Sequence, residues 1–122
     1  MCKLLRDVER LVQDQKVVPK PQSPETYRLV SIGESRGARA LVYELPKRPG
    51  SKSVSTKRIP LSAIEECASR LLETGSLTRT WFVEHYPKLE KDGTCNFTTV
   101  GGVLQLLGLA RYSGPGEYAS VV

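Results

Sequence analysis

The chain has 122 residues, of which 39% are apolar and 25% charged, and a formal net charge of +5. That is enough for one domain with a real core and too little for two, and no run nears the roughly 18 apolar residues of a membrane span. The N-terminus has neither a continuous apolar stretch nor a small-residue cleavage site, so a soluble, cytoplasmic protein without a secretory signal is expected.

Residues 4–12 set Leu4, Leu5, Val8, Leu11 and Val12 at helical spacing among charged residues, which predicts an amphipathic helix. Pro19, Pro21 and Pro24 then favour an extended connector that separates this helix from the body. Residues 26–32 and 38–45 are rich in Val, Leu, Ile and Tyr around the turn chemistry of residues 33–37, and residues 54–59 can add a third strand. A three-strand antiparallel meander is expected, with a loop at 46–53.

Ser62 and Glu65 have the spacing of a capping box, so a helix is expected at 63–74. Ile64, Cys67, Ala68, Leu71 and Leu72 form its apolar face, and Gly75 is placed to stop it. Thr78 can cap a second helix at 79–86, with Phe82 and either Trp81 or Tyr86 facing inward, which Pro87 ends. After a polar stretch at 88–94, a third helix at 97–107 buries Phe97, Val100, Val103, Leu104 and Leu107. Gly101 and Gly102 each cost that helix about 1 kcal/mol relative to alanine, which predicts close approach by another part of the chain. Residues 109–112 and 117–121 read as a hairpin around the turn residues 113–116.

The expected architecture is therefore α+β over a single domain, 1–122. It comprises an N-terminal helix and connector at 1–24, a small β-meander with a basic loop at 25–60, and a helical half at 61–122. Helix, short helix, polar turn, third helix and terminal hairpin, in that order over residues 62–122, resemble the winged helix-turn-helix family. The most specific stretch is Gly102-Val103-Leu104-Gln105-Leu106-Leu107-Gly108-Leu109-Ala110-Arg111-Tyr112, followed by a glycine-bearing turn and Tyr118. It is similar to a recognition helix running through a leucine pair and a Gly-Leu step into the first wing strand.

The resemblance covers about half the chain and implies a third helix in the DNA major groove with the hairpin on backbone or minor groove. The residues it exposes are Thr94, Asn96, Thr98, Thr99 and Gln105. Of these, Asn96, Thr98, Thr99 and Gln105 have base-reading chemistry, and Arg111 lies on the wing. The third helix departs from the family in carrying no Lys or Arg.

Charge counted by segment locates the missing cations. Residues 1–45 hold eight basic and six acidic groups, 61–122 hold five and seven, and 46–60 hold five basic and none acidic. Lys47, Arg48, Lys52, Lys57 and Arg58 are thus the expected contacts to the phosphates of double-stranded DNA. Residues 46–52 resemble a minor-groove arm of the AT-hook kind but lack its Arg-Gly-Arg core, so they read as a phosphate clamp. The implied function is a small DNA-binding protein, a transcription regulator or an accessory module. The other reading is a protein-interaction scaffold, with the N-terminal helix available for docking or homodimerisation.

Catalysis has little to stand on. The three cysteines, Cys2, Cys67 and Cys95, lack C-x-x-C spacing and read as reduced thiols, with Cys67 a core residue. The one histidine, His85, sits beside Glu84 with no partnered nucleophile or second metal ligand at suitable spacing, and Gly101-Gly102 lacks the lysine of a phosphate loop. No enzyme activity, cofactor or metal is expected.

Overall fold

The computed structural model describes residues 2–20, 27–46, 50 and 55–122. In chain order the elements are α1 (Cys2–Gln13), β1 (Val17–Val18), β2 (Tyr27–Ser35), β3 (Ala38–Glu44), β4 (Thr56–Pro60) and α2 (Leu61–Thr74). They continue with β5 (Ser76–Thr78), α3 (Arg79–His85), α4 (Pro87–Asp92), α5 (Cys95–Leu106), β6 (Ala110–Gly114) and β7 (Glu117–Ser120). The fold is α+β, with two antiparallel sheets ordered β1-β2-β3-β4 and β5-β7-β6.

The amphipathic stripe of α1 is buried where the sequence places it. Leu4, Val8, Leu11 and Val12 join the core and the helix packs on β2 and α2, so the face that could dock elsewhere is covered by the chain's own sheet. An exposed ion pair, Arg39 Nη2 to Glu9 Oε1 at 2.6 Å, ties the helix to β3.

The meander forms as expected, with one added edge strand. Strand β2 runs on through Gly33 to Ser35, and the turn narrows to Arg36 and Gly37, whose φ values of 52° and 81° suit a two-residue hairpin. Val17 and Val18 pair with Arg28 and Tyr27, extending the sheet from within the segment expected to be a connector.

Helix α2 begins at Leu61, and the expected Ser62 cap does not form. Pro60 still pairs with Ala40 in the β-ladder and occupies the cap position, with no side-chain cap bond. Leu61 is buried, so the strand passes straight into the helix and Ser62 is left exposed in its first turn. The far end behaves as expected: Gly75 takes φ 86° and its N–H bonds to the Leu71 carbonyl.

Thr78 caps α3, its Oγ1 accepting from Trp81 N at 3.2 Å. Phe82 is buried, while Trp81 and Tyr86 are both half-buried. The stretch after Pro87 is a short helix rather than a polar turn, because proline is tolerated in a helix's first turn. Strand β5, between α2 and α3, pairs with β7 and makes the terminal hairpin a three-stranded sheet. Buried apolar residues from Leu4 to Tyr118 form one contiguous cluster.

Candidate nucleic-acid interface

Helix α5 is the element on which base reading was expected, and it is clamped from two sides. A Cβ on Gly101 would stand 2.2 Å from ring carbons of Tyr118 in β7, and one on Gly102 would stand 2.3 Å from Val18 Cγ1 and 2.9 Å from the Pro19 carbonyl oxygen. The close approach expected from the glycine pair is therefore real, and its partners are the hairpin and the segment 17–20. Lys20 completes the clamp: its Nζ donates to Thr98 Oγ1 at 2.7 Å, Thr99 Oγ1 at 2.8 Å and the Cys95 carbonyl at 3.1 Å. The start of the expected connector is thus a strap lying along α5.

This packing corrects the exposure expected for two of the candidate base contacts. Asn96 is buried with both ends of its amide occupied: Oδ1 accepts from Tyr43 Oη at 2.5 Å, and Nδ2 donates to the Leu89 carbonyl at 2.7 Å. Thr99 is buried beneath Lys20. At helical spacing Asn96, Thr99 and Val103 share one face, and it is the inward one. Thr98 is half-buried and engaged by Lys20, and Gln105 turns its Oε1 into a buried site with no partner among the described residues. Thr94 is exposed just before the helix, and Arg111 is exposed on β6.

The expected phosphate contacts divide as well. Lys57 and Arg58 are neighbours in β4, so they project from opposite faces of the sheet. Lys57 donates to the Asp92 carbonyl at 2.5 Å and lies against Gly93, a strut between β4 and α4. Arg58 crosses the other face, over Gly33 and Val42, and donates to the Glu34 carbonyl at 2.6 Å. Lys47, Arg48 and Lys52 lie outside the described residues.

Arg58 borders a groove of about 500 Å3 between the β2–β3 turn and the α3–α4 segment, whose lining also includes Arg36 and Lys88. All three cations are exposed, Tyr86 and Leu89 supply apolar wall, and Asp92 is the one carboxylate residue on the lining among the described residues. Sequence reasoning missed Arg36 and Lys88 because they lie on separate elements, far from the basic segment along the chain.

The Cys67 thiol is buried in the core. Burial pushes the Cys67 thiol up to about 12, with Glu66 adding to the shift, which leaves it protonated. His85 is exposed, stacks on Trp81 at 4.2 Å between ring centroids and shares a hydrogen bond with the Trp81 carbonyl. Among the described residues no helix is long and apolar enough to cross a membrane. Compared with known proteins, the chain matches no family model, no curated protein and no solved structure.

Proposed function

We propose that this chain is a non-enzymatic DNA-binding module with a winged-helix half that holds duplex DNA by its phosphates rather than by inserting α5 into the major groove. The observation that carries this is the groove whose lining includes the exposed cations Arg36, Arg58 and Lys88, with Arg58 contributed by the chain's most basic segment. The run α2, β5, α3, the short α4, α5, β6, β7, with β5 paired on β7, supports the winged-helix resemblance by its connectivity. Phosphate contacts give affinity and register without sequence reading, which suits a third helix whose polar residues are turned inward.

A titration of labelled random duplex at about 50 and 200 mM salt tests this, since each neutralised phosphate adds about −0.9 to the slope of log K against log salt. Wild type should show a slope near −5 if the three groove cations act with Lys47, Arg48 and Lys52. Arg36→Asn with Lys88→Ala should lower the slope by about 2 and weaken every sequence alike. Asparagine tolerates the positive φ at position 36, so the turn is kept.

One observation favours a second reading, a protein-interaction scaffold: the strap at 17–20 occupies the side of α5 that carries Thr98, Thr99 and Gly102. Absence of salt-sensitive binding at the lower ionic strength would reject the DNA proposal and select the scaffold.

A further inference from the structure

A second cavity, of about 540 Å3, opens between the N-terminal end of α5, the terminal hairpin and the strap. Its volume falls in the range of small-molecule sites. Four rings from four elements line its walls: Tyr27 of β2, Phe97 of α5, Tyr112 of β6 and Tyr118 of β7. Phe97 and Tyr112 each meet Tyr118 edge-on, at 5.6 and 5.7 Å between centroids, so their positions are mutually fixed.

Among the described residues two cations enter this aromatic box, and one of them is paired with a carboxylate there. Arg79 gives Nη1 to both oxygens of Glu90, at 2.8 and 2.9 Å, and to the Thr94 carbonyl, which leaves Nη2 and Nε without an acceptor among the described residues. Lys20 has no carboxylate partner among the described residues: its donors reach two threonine hydroxyls and a carbonyl, and its ammonium lies 4.2 Å from the centroid of Tyr27. Among the described residues, then, the half-buried Lys20 ammonium lines the cavity without a carboxylate beside it.

We infer that this cavity binds a small planar aromatic anion, its ring set among the tyrosines and its carboxylate or equivalent group turned toward Lys20 and the open edge of Arg79. Each partner supplies what the other lacks. The anion restores the electrostatic balance that burial takes from Lys20, the guanidinium fork offers directed donors, and the tyrosine faces and edges select a flat ring. Nothing in this inference depends on DNA binding, and its probes contain no nucleic acid, so the two proposals fail separately.

The groups facing Lys20 are Cys95 of α5, Arg79 of α3 and Tyr27 of β2. Burial, the largest cause, holds the Lys20 pKa down at about 8, with Cys95 opposing the shift and the Arg79 charge adding to it. Anion binding should accordingly be strongest below pH 8 and weaken above it. Between pH 7 and 9 the ammonium fraction falls about tenfold, and the affinity should follow.

The test uses the whole chain and three probes: 2-naphthoate, its neutral isostere 2-naphthamide, and the saturated decalin-2-carboxylate. At pH 7, naphthoate should shift the backbone amide signals of Thr98, Tyr112 and Gly116 and bind about tenfold more tightly than either relative. Calorimetry should show its Kd rising about tenfold by pH 9 while that of the amide stays level. Tyr112→Leu, which removes one ring from the wall, should weaken naphthoate about fivefold while lowering the thermal midpoint by only the few degrees that one lost edge-on contact with Tyr118 costs. Equal binding of the amide, shifts confined to the groove around Arg36 and Lys88, or no saturable shift by about 5 mM naphthoate would each overturn the inference.

Discussion

Helices α1 and α5 are both twelve residues long, yet they belong to different physical types. Five charged residues in α1 mark its solvent face and leave one apolar stripe for the core. Helix α5 carries no charge, and eight of its residues are buried, among them Asn96, Thr99 and the glycine pair. A charged side chain almost never enters the core unpaired, so it locates the outside of a helix, whereas an asparagine or threonine enters freely once its hydrogen bonds are met. Polarity alone therefore points the right way on α1 and the wrong way on α5.

That contrast can be broken most sharply at the glycines. Gly101→Ala forces a methyl into the Tyr118 ring and should cost about 3 kcal/mol in urea denaturation; a loss below about 0.5 would mean that the hairpin does not rest on α5. Asn96→Ala removes two buried bonds, leaving the Tyr43 hydroxyl only the Cys95 thiol and the Leu89 carbonyl only the Gly93 N–H, and should cost about 1 to 3 kcal/mol by the same assay, whereas a solvent-facing asparagine would change little. Val8→Ala on the buried face of α1 should cost about 2 kcal/mol.

A pH titration of stability probes the strap across the same helix. The folded-state pKa of Lys20 lies near 8, below its ordinary value of 10.5, so between these limits the unfolded chain binds more protons. Stability contributed at Lys20 should rise with pH across that window, by up to about 1 kcal/mol per unit, and Lys20→Met should flatten the rise. The smallest effect belongs to the exposed pair on α1: Glu9→Gln should alter stability by less than about 0.5 kcal/mol and lose even that at high salt.

Features set by neighbours in the chain were legible in the sequence: the α1 stripe, the Gly75 stop, the Thr78 cap and the terminal hairpin. Gly101-Gly102 also announced a close contact, because two helical glycines make little sense without one. Features that depend on a distant partner were not. Strand β5 has three residues and exists through its pairing with β7, and Ser62 has cap chemistry but loses the role to a strand that continues through Pro60. The basic groove escaped for the same reason, since it joins a turn, a strand and a short helix, and Lys57 left the expected patch through the alternation of β4. Lys20, set among prolines, gave no local sign that it would grip α5.

The strap has a consequence for how the molecule is made. Lys20 and Thr98 are 78 positions apart, so a contact that fixes the third major helix joins the first fifth of the chain to the last. During synthesis the N-terminal sheet emerges long before its partner helix, with Val18 uncovered and Lys20 bonded to nothing on α5. Closing so long a loop costs entropy before any contact rewards it, which places strap docking late and makes folding slow for a chain of this length. The same connection makes the two halves poor candidates for separate expression: cut anywhere between them, each would present to solvent the surface that the other was shaped to cover.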